Sequence, residues 1–468
     1  MTRQSIDAVI STSLRFVAFL FVGLAFCVHV IADDWPGWLG SDRDGRWHED
    51  GILERFPEGG PALRWSTKIG GGYSGPAVCD GRVYVVDWIG SKVDGSPKLL
   101  HEGEVPKNTN FVRQLLPGRE RVLCLDESNG EILWTHEYDC PYSTVATYAI
   151  GPRATPTVDG DHVYTLGAEG NLNCLRVTDG SVVWSKDYKV DYDVEVPNWG
   201  FSSPPLVDGD QLICIVGGEG TAVVSFDKHT GRERWKTLSA TEPGYSAPVI
   251  RNFGDDRVLV VWDSDAVHGI NPETGEVRWS VDFPSTFAMS VATPQVVDSQ
   301  IFVMCFNGKC ALITVTSDGD SAEITWEGGR RIGIDGVHNT PMLVDGYIYG
   351  CGNGGRYLCA RQSDGEQVWS SFVPVSAKRP ISWGNVFTVQ MTGGGATSRF
   401  LLANDHGEVI FATLTPNGYQ ETSRAHLIEP THRVGGRTLV WSHPALANRS
   451  IYLRNDREIR CYSLSADQ

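Results

Sequence analysis

Several common catalytic and cofactor-binding motifs are missing from this 468-residue chain. It has no HExxH, no Walker phosphate loop and no GxSxG, so the sequence offers no starting point for zinc-protease, nucleotide or serine-hydrolase chemistry. It also lacks a CxxCH haem-attachment motif, and none of its 11 cysteines is next to another. Residues 70–75 match GxGxxG by letter, but no helix is predicted after them, so we do not interpret them as a dinucleotide-binding turn.

Positive charge is also scarce, with 40 Lys and Arg against 57 Asp and Glu and a net charge of −17. Nucleic acids and anionic lipids repel such a chain, so we expect no nucleic-acid partner and interpret the charge mainly as a source of solubility. One acidic loop contains Asp187, Asp191, Asp193 and Glu195. Its carboxylates suit calcium, but in a chain this negative we favour a solvated loop.

Long apolar runs are rare, and the clearest one lies at residues 16–28, after Arg3 and Arg15. Basic residues, an apolar stretch and small residues near Ala32 are typical of an export signal, so residues 1–32 are predicted to be a signal peptide. The run is shorter than the roughly 20 residues that span a bilayer. We therefore expect no membrane span in the mature chain and a periplasmic or extracellular location. Lipid anchoring at Cys27 is the alternative.

What the chain does contain is a repeat, marked by a glycine followed four residues later by a tryptophan. SNGEILW, TDGSVVW, HTGRERW, ETGEVRW, the stretched SDGDSAEITW and SDGEQVW end at Trp134, Trp184, Trp235, Trp279, Trp326 and Trp369. Their spacing is close to the ~40 to 50 residues of one four-stranded propeller blade. Each tryptophan is predicted to begin an outer strand and to pack between neighbouring blades, which is a structural role.

Tight turns between short strands accompany this landmark. Asp-Gly pairs tolerate the positive φ of a two-residue hairpin, and the flanking segments RVYVV, HVYTL, QLICIV and YIYG are rich in β-branched and aromatic residues. The pairs are Asp80-Gly81, Asp159-Gly160, Asp208-Gly209 and Asp345-Gly346. The pattern predicts an all-β chain of antiparallel four-stranded units.

The strand count predicts eight blades. Six units begin near Pro76, Pro156, Pro204, Pro248, Pro294 and Pro341, a degenerate seventh covers 386–428, and an eighth begins at Pro444 but lacks an outer strand. Residues 63–68, with Trp65, have the missing pattern and are predicted to close the ring, which removes exposed sheet edges. Seven blades is the alternative, if the degenerate unit is an insertion.

The repeat, the DGxxVY segments and the start DWPGWLGSDRDG resemble the pyrroloquinoline-quinone (PQQ) repeat propellers. That family includes quinoprotein alcohol dehydrogenases, the assembly scaffold BamB and exported propellers of planctomycete-type bacteria. The resemblance implies a β-propeller over residues 61–468. The preceding residues 33–60 contain Trp35, Trp38 and Trp47 and are predicted to be an aromatic strap packed across the disc. The resemblance also implies the quinoprotein cofactors PQQ and calcium as an alternative. Those dehydrogenases pair adjacent cysteines beneath the quinone, and this chain has no such pair. We therefore predict no cofactor.

In a propeller, the loops that lead into the inner strands meet around the axis on one face. Here they contribute larger side chains that could bind an anion, a sugar or a quinone. The alternative is that these aromatic residues simply plug the channel. Arg153, His338 and His443 are predicted to be the polar centre. The full set of candidates is Tyr73, Arg153, Phe201, Tyr245, His338, Asn339, Trp441 and His443.

Two further features bear on function. Residues 90–120 form a long insertion in the first blade, which we interpret as a lid or partner-binding loop, with a tolerated surface insertion as the alternative. Cys305 and Cys310 flank a predicted hairpin and are the best-placed disulfide pair, while Cys124, Cys174, Cys359 and Cys461 are predicted core residues. We expect a binding module or scaffold for a protein, polysaccharide or small ligand. An alcohol-oxidising quinoprotein and a BamB-like envelope scaffold are the alternatives.

Overall fold

The computed structural model describes residues 33–92, 98–101, 103–108, 111–143, 151–240, 242–329, 331–336, 338–376, 379–434 and 436–467. The predicted signal peptide, with Cys27, lies outside the described residues. Eight antiparallel sheets of inner, second, third and outer strands form an eight-bladed propeller. This confirms the predicted all-β fold and the count of eight. No helix among the described residues has the length and apolar character needed to cross a membrane.

The first four blades follow one another along the chain. Their strands are, for blade 1, Ala77–Cys79, Arg82–Gly90, Gly118–Asp126 and Ile132–Asp139; for blade 2, Thr157–Asp159, His162–Leu166, Asn171–Arg176 and Val182–Asp187; for blade 3, Leu206–Asp208, Gln211–Ile215, Val223–Asp227 and Glu233–Thr237; and for blade 4, Val249–Phe253, Asp256–Trp262, Ala266–Ile270 and Val277–Asp282. All four have the same strand order, so each is one copy of the sequence repeat.

Blades 5 to 8 keep this order with two modifications. The strands are, for blade 5, Gln295–Val297, Gln300–Cys305, Lys309–Val315 and Ala322–Glu327; for blade 6, Met342–Val344, Tyr347–Gly352, Arg356–Arg361 and Gln367–Ser371; for blade 7, Val386–Met391, Arg399–Asn404, Glu408–Thr415 and Gly418–His426; and for blade 8, Ala445–Ala447, Ser450–Arg454, Glu458–Ser463 and Leu63–Lys68. Blade 7 gains a fifth strand, Arg46–Trp47, parallel to its inner strand. Blade 8 takes its outer strand from the N-terminal side, where Trp65 pairs with Cys461, and this confirms the predicted closure.

Short elements outside the blades lie in the loops. They are the helix Tyr188–Asp191, the 3₁₀ turns Thr286–Ala288 and Gly393–Gly395, and the two-stranded pairs Lys98–Leu99 with Gln114–Leu115 and His432–Val434 with Arg437–Leu439. The pair that includes Lys98–Leu99 belongs to the insertion between the second and third strands of blade 1.

The repeated tryptophans join each blade to the next. The indole Nε1 of each donates to a backbone carbonyl of the following blade, at 2.8–3.1 Å; the pairs are Trp65 to Glu127, Trp134 to Val177, Trp184 to Lys228, Trp235 to Pro272, Trp279 to Gly319, Trp326 to Gln362 and Trp369 to Thr415. Trp65 thereby joins blade 8 to blade 1. The same contact therefore joins the blades at seven of the eight junctions of the ring.

The glycine of the Gly-x-x-x-Trp motif receives the tryptophan of the preceding blade. Gly130 has φ +74°, and a Cβ there would come within 2.5 Å of the Trp65 ring. The equivalent Cβ on Gly180 would approach the Trp134 ring to 2.4 Å. Each copy of the motif therefore contributes to two such contacts. Its tryptophan packs against the next blade, and its glycine leaves space for the tryptophan ring of the preceding blade.

The cysteines follow the blade register. Cys124, Cys174, Cys359 and Cys461 lie on third strands, each paired with the tryptophan of the adjacent outer strand, and all four are buried and free. The proposed Cys305–Cys310 disulfide is wrong, because both cysteines are free. Cys305 pairs with Lys309 and Met304 with Cys310. Since side chains alternate along a strand, the two sulfurs lie on opposite faces of the hairpin.

The N-terminal strap runs across the axis and contacts the inner region of every blade. Trp35 N donates to Val78 O of blade 1, and Val158 N of blade 2 donates to Pro36 O. Trp38 Nε1 donates to Thr293 Oγ1 of blade 5, and the Trp38 ring packs on His443 of blade 8. The other contacts are Arg43 to Pro204 O and Pro248 O of blades 3 and 4, and Arg46 to Leu343 O and Gln390 Oε1 of blades 6 and 7. The strap therefore blocks the central channel.

Candidate functional site

A cavity of about 310 Å³ lies above the strap, at the axial ends of the loops that lead into the inner strands. Its lining comes from all eight blades, the strap and the blade 1 insertion. The lining residues are Trp38, Tyr73, Asn108, Phe111, Arg153, Trp199, Ser202, Pro204, Tyr245, Ala247, Phe287, Met289, Val291, Phe306, His338, Trp383, Phe387, Trp441 and His443. Concave, mostly apolar cavities with a few polar groups are the usual form of small-molecule sites.

The floor of the cavity is formed by Trp38, Phe387 and His443. The His443 ring lies 5.1 Å from each of the other two rings, centroid to centroid. His443 Nδ1 lies 2.6 Å from the Pro444 carbonyl, so Nδ1 carries the proton and Nε2 is an acceptor. Burial lowers the pKa of His443 to about 4. The floor is therefore uncharged at neutral pH.

One wall contains Arg153, Tyr73, His338 and Trp441. The Arg153 guanidinium lies 5.0 Å from the centre of the Tyr73 ring, and its Nη1 donates to Gly151 O at 2.9 Å. The His338 ring is 4.0 Å from that of Trp441. Burial, with a contribution from the positive charge of Arg153, lowers the pKa of His338 to about 3. This wall thus presents one cation beside a neutral imidazole.

The rest of the lining includes a continuous arc of aromatic rings. Neighbouring ring centroids along it are separated by 5.8, 6.1, 6.1, 6.3 and 5.1 Å, in the order Tyr245, Trp199, Phe111, Phe287, Phe306 and Trp383. Phe287 and Trp383 have φ of +59° and +62°, conformations that cost energy for bulky residues. Phe287 also remains 58% exposed. The arc therefore offers apolar ring faces at the cavity mouth.

The insertion in blade 1 reaches this arc. Phe111 packs between Trp199 and Phe287, and Asn108 also lines the cavity. Arg113 Nη2 donates to Val196 O at 2.5 Å, which ties the insertion to the loop after blade 2. The interpretation of the insertion as a lid or partner-binding loop stays a prediction. Residues 93–97, 102, 109 and 110 of the insertion lie outside the described residues.

Six of the eight predicted site residues line the cavity: Tyr73, Arg153, Tyr245, His338, Trp441 and His443. Phe201 instead packs against Tyr188, with ring centroids 5.3 Å apart. The Asn339 side-chain amide donates to Cys351 O and Asn385 Oδ1, at 2.9 and 3.0 Å. These two side chains support the surrounding loops. Arg153 and His338 lie on one wall and His443 in the floor, so the predicted polar centre is spread over two sides.

The acidic loop is held by local contacts. Asp187 accepts from Lys189 N at 3.0 Å, and Asp191 accepts from Asp187 N at 2.9 Å. Among the described residues, the cluster of possible metal ligands lies elsewhere, at Asp34, Cys79 and Asp80.

The cavity's residues do not fit PQQ with calcium. No Asp or Glu lines the described cavity to coordinate calcium, and no cysteine lines it. Arg153 is the one cationic side chain in that lining, whereas PQQ is a tricarboxylate. Buried carboxylates need paired charges or hydrogen-bond donors, so two of its three carboxylates would lack a cationic partner.

Comparison with known proteins places the chain in a family. Residues 118–371, more than half of the chain, match the family model described as outer membrane protein assembly factor BamB, of the PQQ-like repeat type. The chain belongs to this family. Its blades are PQQ-like repeats, as the sequence resemblance predicted.

Curated relatives match part of the chain. The BamB of Shewanella oneidensis is 24% identical over 290 residues, which are 57% of this chain and 67% of that protein. The BamB of Yersinia pestis is 21% identical over 244 residues, which are 50% of this chain and 58% of that protein. The matches thus leave a third or more of each relative uncovered.

Solved structures share the fold at low sequence identity. BamB from Moraxella catarrhalis has a TM-score of 0.51 and 14% identity, covering 86% of this chain and 99% of its own. The quinohemoprotein alcohol dehydrogenase from Comamonas testosteroni has a TM-score of 0.60 and 12% identity, covering 93% of this chain and 81% of its own. A scaffold and an enzyme are thus both similar in fold, so function has to be argued from the site.

Proposed function

We propose that this protein is an exported binding propeller that holds a small organic ligand in its axial cavity. The observation that carries the proposal is the cavity itself: its floor is blocked by the strap, its walls are aromatic, and Arg153 supplies a polar anchor. Such a site can bury most of a small molecule. The residues of the floor and wall are neutral apart from Arg153, which suits binding more readily than acid–base chemistry at neutral pH.

The test is a small-molecule screen by thermal shift, with a variant that fills the cavity. A ligand at 100 times its Kd stabilises the folded protein by about 2.7 kcal/mol and so raises the Tm measurably. Ser202 lines the cavity, and Ser202→Trp should abolish the shift. The control is Ser185→Trp on the exposed outer strand of blade 2, which should leave the shift intact. A broad screen without a hit, or hits unaffected by Ser202→Trp, would overturn the proposal.

A second candidate function is favoured by the family match, namely a scaffold in assembly of the cell envelope. Its partner would be a protein, and its contact surface need not include the cavity. Crosslinking in the native cell followed by mass spectrometry tests this candidate. A scaffold that works independently of the cavity should capture the same envelope protein with Ser202→Trp as with the unmodified chain. Loss of that capture would assign the partner to the cavity.

Export is part of the proposal and rests on the basic and apolar pattern of residues 1–32 and on the envelope role named for the relatives. Cell fractionation should recover the protein outside the cytoplasm with an N-terminus at Asp33. Recovery of the intact chain in the cytoplasm would contradict it.

The dehydrogenase alternative makes a separate prediction. The described lining of the cavity contains one arginine and no carboxylate that could bind calcium. We therefore expect no stoichiometric retention of PQQ after incubation with PQQ and calcium and desalting. Absorbance of the retained cofactor measures this directly, and alcohol-dependent dye reduction would show turnover. Stoichiometric retention together with turnover would establish the enzyme instead.

A further inference from the structure

Blade 4 contains a second group of polar side chains, separate from the described lining of the axial cavity. Ser280 Oγ lies 2.8 Å from Nδ1 of His268, and Nε2 of the same ring lies 3.0 Å from Asp263 Oδ2. We propose that Ser280 is a nucleophile that takes the acyl group of activated esters, with His268 as its general base and Asp263 holding that base in position. This inference goes beyond the proposed binding function and does not depend on it.

The three residues come from successive parts of blade 4. Asp263 follows the second strand, His268 lies in the third strand, and Ser280 lies directly opposite His268 in the outer strand. Residues directly opposite one another share a face of the sheet, so the register brings hydroxyl and imidazole together. Asp263 and His268 are 5% and 6% exposed, whereas Ser280 is exposed. The hydroxyl is therefore open to solvent while its two partners are shielded.

The hydrogen bonds of Asp263 fix the positions of the protons. Its Oδ1 accepts from the backbone N–H groups of Asp265 and Ala266, both at 2.8 Å. Burial acts to raise the pKa of Asp263, but the hydrogen bonds from His268 and the two backbone groups outweigh it and lower that pKa. The carboxylate is therefore ionised at neutral pH and accepts from Nε2–H. In the neutral imidazole Nδ1 is then the acceptor, and it faces the Ser280 hydroxyl. A base placed in this way can remove the proton of a serine.

The other blades show that packing does not require a histidine at this position. In three of them the residue after the repeat tryptophan lies opposite an apolar residue. The pairs are Thr135 with Leu123, Lys236 with Val224, and Ser370 with Leu358. Burying an imidazole where other blades bury leucine or valine costs free energy unless both ring nitrogens have partners. In blade 4 those partners are a buried carboxylate and an exposed hydroxyl, which is the combination that an activated serine needs.

The backbone of the outer strand supplies a donor for the negative charge that develops on the ester oxygen. Phe283 N donates to Asp265 O of the turn before the third strand, at 2.9 Å. Along an antiparallel strand the N–H groups point alternately towards and away from the neighbouring strand. The N–H of Ser280 therefore points away from the third strand, and in the described sheet the outer strand is the edge. The nucleophile's own N–H is one of the two oxyanion donors in serine proteases.

The reaction balances with an ester and water alone. Ser280 Oγ bonds to the acyl carbon and its proton passes to His268 Nδ1. The bond from that carbon to the leaving oxygen then breaks, and the leaving oxygen takes the proton as an alcohol or phenol. Water attacks the acyl-serine in the same way, releases the carboxylic acid and returns the proton to Oγ. Because Ser280 lies on an exposed strand, the substrate class that suits it is a small ester with a good leaving group, such as an aryl acetate.

A fluorophosphonate probe and 4-nitrophenyl acetate test this proposal on the full folded protein. We expect the fluorophosphonate to form an adduct on Ser280 with loss of fluoride, detected by peptide mass spectrometry. Ser370 is the matched control, because it is an exposed serine after a repeat tryptophan and lies opposite Leu358. We expect no adduct on Ser370. Release of 4-nitrophenolate should accompany acetylation of Ser280. Ser280→Ala should abolish both reactions, and Ser370→Ala should change neither.

Variants of the two supporting residues test their roles. His268→Gln should slow labelling of Ser280 by about 10²–10⁴-fold, the usual contribution of a general base. Asp263→Asn should slow it as well, because the wrong tautomer of the imidazole is then favoured. Thermal unfolding checks that each variant is folded.

The outcomes that would overturn the proposal are distinct from those of the ligand screen. Equal labelling of Ser280 and Ser370 in the unmodified protein would do so without any variant. Undiminished labelling of Ser280 in folded His268→Gln would refute the role of the base. Labelling of Ser280 without cleavage of the ester would refute acyl transfer. Failure of the screen against the axial cavity would affect none of these results.

Discussion

The rim of the propeller and its axis are built in different ways. At the rim, seven tryptophans make the same hydrogen bond to the next blade, from Trp65 round to Trp369. At the axis, equivalent loops contribute unlike groups, such as Tyr73 in blade 1, Arg153 in blade 2 and His338 in blade 6. The difference shows that the repeat maintains the wall of the ring and leaves the axial loops free to diverge. Changes at the rim should therefore affect stability, and changes at the axis should affect binding.

Blade 7 tests the rule for the rim, because its outer strand has no repeat tryptophan. The strap supplies aromatic packing here instead: Phe56 is buried 4.5 Å from the Phe411 ring, centroid to centroid, and Arg46–Trp47 extends the sheet. In blade 7 the strap thus supplies the aromatic packing that a repeat tryptophan supplies in the other blades.

The largest effect is expected for Trp184→Ala at the rim. It removes a ring packed on Gly231 and the bond to Lys228 O, and should lower the free energy of unfolding by about 3–5 kcal/mol. Denaturant unfolding measures this, while binding of a ligand found in the thermal-shift screen should not change per folded molecule. A loss below about 1 kcal/mol, or a parallel loss of binding, would break the distinction between rim and axis.

Phe56→Ala should come next, at about 3 kcal/mol, because it removes a buried ring from blade 7. Leu63→Ala is a useful control, since Leu63 is 51% exposed in the outer strand of blade 8. Equal, small effects of the two substitutions in denaturant unfolding would show that the strap does not replace the missing tryptophan.

A smaller effect should depend on pH. The pKa of His443 is about 4 in the folded protein, below its ordinary value of 6.5, so the unfolded state binds the proton more readily. The resulting stability is fully present above pH 6.5 and is lost as pH falls towards 4. Between pH 7 and 5, His443→Gln should therefore lose less stability than the unmodified protein, by up to about 2 kcal/mol. Identical losses in the two proteins would refute a neutral His443.

The smallest stability effect is expected at the cavity mouth. Phe287 is 58% exposed and has φ +59°, so Phe287→Ala should change the free energy of unfolding by less than about 1 kcal/mol. It should nevertheless weaken binding of a ligand found in the thermal-shift screen several-fold, because an aromatic contact is removed. The opposite pattern, a stability loss without a binding loss, would place Phe287 with the rim residues.

The fold could be predicted from sequence because its physical causes repeat. The Gly-x-x-x-Trp landmarks gave six blades, and the strand carrying Trp65 was recognisable as the missing part of the eighth. The axis was harder. In two of the loops, only one of two consecutive residues lines the cavity. Ser202 lines it and Phe201 does not, and His338 lines it and Asn339 does not. Adjacent side chains in extended segments point in opposite directions, and the loop alignment did not fix which one faces the axis.

The remaining cavity residues carried no repeat signal. Phe287, Phe306 and Trp383 lie in loops of unlike length, and Phe111 lies in the insertion, so no landmark placed them near one another. Trp38 was predicted to lie in the strap, but its position beneath His443 depends on how the strap crosses the ring.

The strap has a consequence for rates. Arg43 is buried with its guanidinium bonded to the carbonyls of Pro204, Pro205 and Pro248, and burial lowers its pKa to about 9. With that end of the channel filled, a bound molecule has to leave through the opening by which it arrived. Asn108 and Phe111 line the same cavity, so substitutions of these two residues should change the rates of arrival and of departure together.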